Sequence, residues 1–315
     1  MRWARSAQYI GLAGALGAAV LALSLLSPYF LRTQNLINIG VAVSFTGIVA
    51  SVTTVVLIIG GLDLSIAAVM ALSSCIVAKT LAMGQPAVVA VALAIAAGLL
   101  VGAGNGGLIT YGKINPFVVT VGSSFLVRGL AYLVTAGVVI PVSDPALITL
   151  GQGRIAGIPV SIVIMVLAFL ICGFLLQRTI YGRHWYAIGG TTGGGMARLA
   201  GVPVQRRVWQ VYLLSAAAAA AGGVVVAGYS TVGDANGLLG LELAILSGVI
   251  LGGTALTGGR GTVSGTLLGV LLVGVISNGI QLLNLGIAAQ YIFLGGVLLL
   301  AVSFDQWRRR NEVAR

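Results

Sequence analysis

The chain has very few charged residues, and most of those few are basic. Of its 315 residues, 7% are charged and 58% are apolar, and the mean hydropathy is +1.09. Soluble domains carry about 25% charged residues, so the composition excludes a protein with a water-solvated surface. Long apolar runs, rather than alternating segments of about ten residues, favour helices over a membrane β-barrel. We therefore predict an all-α polytopic protein of the lipid bilayer that does not bind nucleic acid.

The residue types that build most catalytic and metal sites are scarce. The chain has one histidine, His184, together with two cysteines and six acidic residues. A single histidine excludes a His-based metal cluster or a Ser-His-Asp triad within the chain. Cys75 and Cys172 both lie in apolar runs, where a buried thiol is more typical than a disulfide. We predict no catalytic residue, no metal site and no cofactor in this chain.

Two glycine motifs resemble nucleotide-binding loops but lack the strand-to-helix setting of such loops. Residues 107–113 match a phosphate-binding loop, yet Ile114 stands where a hydroxyl is needed to hold magnesium. Residues 102–107 spell the dinucleotide pattern inside an apolar run, where small residues allow helices to pack closely. If ATP powers this protein, we therefore expect a partner chain to bind the ATP and its magnesium.

The apolar runs fit about ten membrane spans of about 20 residues each. They lie near residues 9–31, 37–59, 64–83, 87–111, 116–138, 158–178, 207–229, 240–256, 262–283 and 288–305. The basic residues cluster in loops that an internal N-terminus places inside, above all the 178–207 loop. The positive-inside rule therefore predicts that both termini are cytoplasmic. We interpret residues 1–315 as a single transmembrane domain with halves near 1–150 and 151–315.

An internal echo indicates that the two halves are related. Residues 61–66, GLDLSI, open the third span, and residues 240–245, GLELAI, open the eighth. Because five spans separate the two copies, the halves have opposite orientations in the membrane. The echo makes Glu242 the near-symmetry mate of Asp63.

Six polar residues are candidates either for a pathway through the membrane or for structural roles. A carboxylate at mid-membrane costs about 2.5–3.5 kcal/mol, but Asp63 and Glu242 fall at span ends, where helix capping is the other role. Arg128 either pairs with a carboxylate or extends its side chain outward. Asn105 and Asn278 either hydrogen-bond a polyol or bridge helices. The six candidates are Asp63, Ser65, Asn105, Arg128, Glu242 and Asn278.

A glycine-dense break interrupts the apolar sequence of residues 241–266. Broken apolar segments are common at the pathways and moving parts of transporters. The glycines of the break are Gly252, Gly253, Gly258, Gly259 and Gly261. Gly261, Gly265 and Gly269 also form consecutive GxxxG spacings, which predict close helix packing within the chain or against a second copy.

Several motifs resemble those of one transporter family. Residues 60–65, GGLDLS, resemble its GGIDLS signature. Residues 114–122, INPFVVTVG, resemble IPPFIVTLG, and Arg128-Gly129 follow where the family has RG. Residues 181–190, YGRHWYAIGG, resemble FGRxxYAIGG.

The second half carries the remaining motifs in the family's order. Residues 197–202, ARLAGV, resemble ARLSGI, and residues 251–261, LGGTALTGGRG, resemble IGGTSLSGGRG. Residues 277–279, SNG, stand where NNG is usual. The chain is thus similar to permease subunits of bacterial ABC importers for sugars of the ribose, xylose and galactoside class.

The resemblance implies a membrane complex in the bacterial inner membrane. Its parts are a second permease, identical or different, two cytoplasmic ABC ATPase subunits and a periplasmic sugar-binding protein. It also implies that a coupling helix docks on the ATPase. The residues at the matching positions are Met196, Ala197, Arg198, Leu199, Ala200, Gly201 and Val202. Residues 191–195, TTGGG, replace a shorter stretch of the family and disfavour helix at the start of this segment.

The function expected from the resemblance is import of a sugar or related polyol by alternating access. The alternative is an ion-coupled secondary transporter or a channel that works without ATPases. Such a protein needs several buried titratable groups, and the chain has six acidic residues in total. The sequence does not identify which sugar is carried.

Overall fold

The computed structural model describes residues 2–190 and 194–313, which are helical apart from turns and four two-residue strands. In chain order the helices are α1 (Arg2–Leu26), α2 (Thr33–Ile58), α3 (Ile66–Ala82), α4 (Ala87–Thr110), α5 (Pro116–Thr135), α6 (Pro145–Gln152), α7 (Val160–Arg178), α8 (Ile180–Gly189), α9 (Gly195–Leu199), α10 (Val204–Ser230), α11 (Leu241–Leu251), α12 (Val263–Leu282) and α13 (Gly286–Val313). The strands are β1 (Ile140–Pro141), β2 (Arg154–Ile155), β3 (Ile158–Pro159) and β4 (Val232–Gly233).

The all-α polytopic architecture that the sequence predicts is confirmed. Seven helices of the described ranges are long and apolar enough to cross a membrane, and three shorter apolar helices occupy the other predicted spans. The eighth span is much shorter than predicted. With 11 residues, α11 is about 16 Å long, against about 30 Å for the hydrocarbon core of a bilayer. It ends at Leu251 because Gly253 adopts φ +89°, which a helix cannot continue.

The helices α2 and α10 form the centre of the molecule. They are the most buried of the long helices, in keeping with side chains that are mainly apolar or small on all sides. The helices α1, α4, α5 and α7 are largely exposed, although their mean hydropathies of 1.7–2.7 are similar to those of α2 and α10, 2.2 and 1.9. Exposed apolar faces of this kind suit contact with lipid chains rather than with water.

Helix packing in the second half repeats that in the first half. The helix α3 packs against α4, α5 and α10, and five spans later α11 packs against α12, α13 and α2. Each central helix thus packs on the short apolar helix of the other half, and the inverted orientation of the halves stays a prediction.

Glycines bring several helices into close contact. A Cβ atom added at Gly98 would lie 2.6 Å from Cβ of Ala220, and one at Gly102 would lie 2.7 Å from Cβ of Ala216. The dinucleotide-like pattern of residues 102–107 therefore belongs to the surface of α4 that packs on α10. In the same way, a Cβ atom at Gly269 would overlap the carbonyl of Gly248. The GxxxG spacing thus serves packing of α12 on α11 within the chain.

The two long loops, residues 136–159 between α5 and α7 and residues 179–203 between α7 and α10, contain helices. The positive-inside rule predicts that the first is the outer loop and the second the cytoplasmic loop. The outer loop holds α6, whose N-cap Asp144 accepts hydrogen bonds from the backbone N–H groups of Ala146 and Leu147 at 2.9 and 3.2 Å. Antiparallel pairing of β1 with β4 joins this loop to the loop that follows α10. The cytoplasmic loop holds α8 and α9.

Candidate functional site

Asp63 is the centre of a buried polar network between α3 and α10. It lies in the non-helical segment 61–65 between α2 and α3 and is 1% exposed. Its Oδ1 accepts hydrogen bonds from the backbone N–H and the hydroxyl of Ser65 at 3.0 and 2.6 Å, and its Oδ2 accepts one from the Ser215 hydroxyl at 2.7 Å. These donors compensate for the loss of water around the buried carboxylate.

The network extends to a third and a fourth helix. Asn105 of α4 donates from Nδ2 to the Ser65 hydroxyl at 3.0 Å, and Tyr212 of α10 donates to the carbonyl of Leu62 at 3.3 Å. The hydroxyl of Thr120 in α5 donates to the carbonyl of Pro116 at 2.8 Å and also lies 3.4 Å from the carbonyl of Leu62. The 61–65 segment is therefore tied to α4, α5 and α10. The sequence analysis did not predict Ser215 and Tyr212 as site residues. A signal was present for Ser215, which is the one polar residue directly before a run of six alanines.

Arg128 and Glu242 are near the outer end of α11. Glu242 lies in the first turn of this helix, and its Oε2 is buried without a hydrogen-bond partner in the described part of the chain. Arg128 donates from one guanidinium nitrogen to the carbonyls of Ala235 and Gly237 at 2.7 and 2.9 Å. Its partners are thus backbone carbonyls of the loop before α11.

Asp63 and Glu242, the predicted symmetry mates, lie in different local structures, and their symmetry relation stays a prediction. Asp63 precedes α3 in a non-helical segment, whereas Glu242 lies within α11. The local hydrogen bond of Asp63 recurs at two other aspartates: Oδ1 of Asp234 accepts from the backbone N–H of Asn236 at 2.8 Å, and Oδ1 of Asp144 from that of Ala146 at 2.9 Å. In each case the carboxylate accepts from the residue two positions ahead, as in a common local turn.

Asn278 contributes to a second polar contact between helices. Asn278 and Asn35 each donate from Nδ2 to the other's side-chain carbonyl oxygen, at 3.0 and 3.1 Å. This reciprocal pair links α12 to α2. Both Asn105 and Asn278 thus lie in bridges between elements, and a contact of either residue with substrate stays a prediction.

The glycine break forms a corner where three backbone segments meet. Gly258 and Gly259 have φ of +88° and +75°, and the N–H of Gly259 donates to the carbonyl of Ile58 at 2.8 Å. A Cβ atom at Gly258 would lie 2.8 Å from the backbone nitrogen of Gly60 and 3.0 Å from Cα of Gly189. The corner therefore joins the ends of α2 and α8 to the loop after α11. Gly252 ends α11, and Gly261 packs against Thr254.

The predicted coupling segment is a short helix followed by a turn. Gly194, with φ +69°, is the N-cap of α9, and residues 191–193 of the glycine-rich stretch lie outside the described residues. Ala197 and Val202 are buried. Met196 and Leu199 are 71% and 89% exposed. The remaining residues of the segment, which are also exposed, are Arg198, Ala200 and Gly201.

A cavity of about 1010 Å³ opens beside α9. Its wall includes Ile59 at the end of α2, Val204 at the start of α10, and the basic side chains of Lys113 and Arg198. Thr110 also lines the cavity, and its hydroxyl is buried without a hydrogen-bond partner in the described ranges. The glycine corner and α9 thus enclose one basic recess, on the side that the positive-inside rule makes cytoplasmic.

The basic loop also contains an organised cluster around Arg207. Arg207 donates from Nε to Nδ1 of His184 at 3.1 Å, and its guanidinium lies 4.3 Å from the ring centroid of Tyr181. Desolvation and the positive charges of Arg207 and Arg183 lower the pKa of His184. His184 therefore acts as a neutral hydrogen-bond acceptor near pH 7.

The described residues contain no group of three or more His, Cys, Asp or Glu side chains placed to hold a metal ion. Cys75 and Cys172 are free and buried, as the sequence predicts.

Comparison with known proteins identifies the family. The family model described as "Branched-chain amino acid transport system / permease component" matches residues 35–302. The L-arabinose ABC transporter permease protein AraH of Azospirillum brasilense is 37% identical over 292 residues, which cover 93% of this chain and 86% of that protein. The ribose import permease protein RbsC of Bacillus subtilis (strain 168) is 36% identical over 289 residues, which cover 91% of this chain and 89% of that protein.

A third relative is the L-arabinose transport system permease protein AraH of Escherichia coli (strain K12). It is 34% identical over 292 residues, covering 93% of this chain and 88% of that protein. No solved structure matches the chain. The family match covers almost all of the helices described above, and the relatives match across nine tenths of the sequence. The chain therefore belongs to the family of membrane permease components of transport systems.

Proposed function

We propose that this protein is the permease subunit of an ATP-driven importer that moves a sugar, a pentose or hexose or a related polyol, into the cytoplasm. One observation carries the proposal: permeases named for L-arabinose and for ribose match at 34–37% identity over nine tenths of the chain. The family description names branched-chain amino acids, but these individual relatives are named for sugars.

The proposed complex contains a second permease, two cytoplasmic ABC ATPases and a periplasmic sugar-binding protein, and lies in the bacterial inner membrane. ATP and magnesium belong to the ATPase subunits. Among the described residues, α9 offers the surface that best suits docking of an ATPase. Met196 and Leu199 project from it, while Ala197 anchors it in the core. Exposed apolar side chains next to basic ones are typical of a protein interface.

The proposed mechanism is alternating access. Closure of the ATPases on ATP would move α9 and the helix α8 on which it packs, and the backbone contacts of the glycine corner would pass this movement to the end of α2. The contact of Gly258 with Gly60 and Gly189 supports this step, because closely packed backbones transmit a rigid displacement.

Transport by the reconstituted complex tests the proposal. The permease is placed in liposomes with its partner ATPases and binding protein, and uptake of labelled ribose, L-arabinose and leucine is measured with and without ATP. We expect ATP-dependent uptake of a sugar and none of leucine. Uptake that depends on an ion gradient and does not require ATP would contradict the proposal and favour a secondary transporter.

A further inference from the structure

A second cavity lies at the opposite end of the two central helices. Its volume is about 390 Å³, within the range of about 300–1,000 Å³ that is typical of small-molecule sites. It is formed by the first turns of α2, the end of α10 and the outer loop, whereas the basic recess beside α9 lies at the end of α2 and the start of α10. The orientation set by the positive-inside rule makes it the outer cavity.

The polar residues of the outer cavity carry both donors and acceptors. Those that line it are Gln34, Asn38, Gln152, Arg154 and Tyr229. Gln34 donates from Nε2 to Oδ1 of Asn38 at 3.0 Å, which leaves the Asn38 amide group free to donate. Gln152 donates from Nε2 to the carbonyl of Tyr229 at 2.8 Å, which leaves its Oε1 free to accept.

The aromatic ring in the outer cavity is held in place from two sides. Tyr229 packs on Phe45 with ring centroids 5.0 Å apart and a tilt of 56°. The backbone of Tyr229 packs directly against Gly151, because a Cβ atom added at Gly151 would overlap the backbone nitrogen of Tyr229. Tyr229 as a whole residue is 41% exposed, so part of it is available to a ligand.

This chemistry fits an uncharged polyol better than an amino acid. Each sugar hydroxyl both donates and accepts, which matches neighbouring amide groups, and an aromatic ring offers a surface to the apolar C–H face. An amino acid also needs an anionic partner for its ammonium group, and the residues that line the cavity include no Asp or Glu. Because the polar side chains are exposed, binding would be weak, as a site on a transport route requires.

We propose that the outer cavity is a low-affinity sugar subsite at the external mouth of the permease. It receives the sugar released from the binding protein, so this inference rests on the proposed function. Asn38, Gln152 and Arg154 hydrogen-bond the hydroxyl groups, and the ring of Tyr229 packs against the sugar.

Direct binding to the full-length permease in nanodiscs tests the subsite without any transport step. Saturation-transfer NMR is recorded with ribose, L-arabinose and leucine for wild type, Asn38→Ala, Gln152→Ala, Tyr229→Leu and Tyr229→Phe. We expect a signal from a sugar and none from leucine. Asn38→Ala, Gln152→Ala and Tyr229→Leu should bind about tenfold more weakly, as loss of one hydrogen bond or ring contact implies. Tyr229→Phe keeps the ring and should bind like wild type.

Gln85→Ala is the matched control, because Gln85 is an exposed glutamine in the outer turn between α3 and α4 and does not line the cavity. Size-exclusion chromatography identifies variants that fail to fold, and these are replaced by Asn38→Ser or Gln152→Ser. Sugar binding that is equal in wild type and in the folded cavity variants would overturn the proposal. So would variants that lose only capture of the binding protein, which would make the cavity a docking surface. ATP-dependent sugar uptake with no signal at the cavity would reject the subsite while leaving the proposed function intact.

Discussion

The hydroxyl of Ser215 donates a 2.7 Å hydrogen bond to Oδ2 of Asp63, although 152 positions separate the two residues in the chain. It is the only hydrogen bond to Oδ2 in the described part of the structure, since both bonds from Ser65 end on Oδ1. The bond fixes the non-helical segment before α3 against the middle of α10.

Ser215→Ala should destabilise the protein by about 1–3 kcal/mol, because it leaves a buried carboxylate oxygen without its donor. Thermal unfolding of the purified permease measures the effect as a lower Tm. Ser230→Ala is the control on the same helix, since Ser230 is exposed at its end and bonds locally to the carbonyl of Val226. Equal Tm values for the two variants would show that the Asp63 contact adds nothing to stability.

Gly269→Ala should destabilise the contact of α12 with α11 by about 1–3 kcal/mol, because the new methyl group meets the carbonyl of Gly248. Gly104→Ala is the matched control within a helix, since a Cβ atom there meets nothing within 4 Å. Alanine favours helix over glycine by about 0.5–1 kcal/mol, so the control should be neutral or slightly stabilised. A Tm for Gly269→Ala at or above that of wild type would contradict the close packing.

Leu199→Glu should weaken binding of the partner ATPase without changing the fold. The side chain is 89% exposed, and exposed substitutions usually shift stability by less than about 0.5 kcal/mol. Copurification of the ATPase and ATP hydrolysis by the complex are the measurements. Leu239→Glu is the control, because Leu239 is 59% exposed in the loop before α11, on the opposite side of the membrane. Normal copurification and ATP hydrolysis with Leu199→Glu would show that α9 is not part of the surface that binds the ATPase.

Stability of the basic loop should fall as the pH drops below about 6.5, the ordinary pKa of histidine. Because the folded protein lowers the pKa of His184, the unfolded chain takes up this proton first, and acidification favours unfolding. Protonation also removes the acceptor for Nε of Arg207. The Tm measured between about pH 7.5 and 5.5 should fall more in wild type than in His184→Gln, which cannot titrate. Parallel pH profiles would contradict this role of His184.

The sequence by itself determined the class of protein and the positions of its spans. An apolar composition with very few charges leaves only the bilayer as surroundings, and the placement of basic residues predicts the orientation. Local spacing was also sufficient for Gly265 and Gly269, because residues four apart share one face of a helix whatever its partner is. Gly261 lies before α12 and packs on Thr254 instead. The length of α11 was not predicted, because the apolar sequence continues beyond Gly253 and only the backbone conformation there ends the helix.

The tertiary structure alone decided which side chains meet. The bond between Ser215 and Asp63, the contact of Arg128 with the carbonyl of Ala235, and the pairing of Asn278 with Asn35 all depend on which helices are neighbours. In a chain whose spans are nearly all apolar, periodicity does not select one neighbour over another, since every face suits either lipid or protein. The two cavities have the same origin: each forms where the ends of α2 and α10 meet loops that are distant in the sequence.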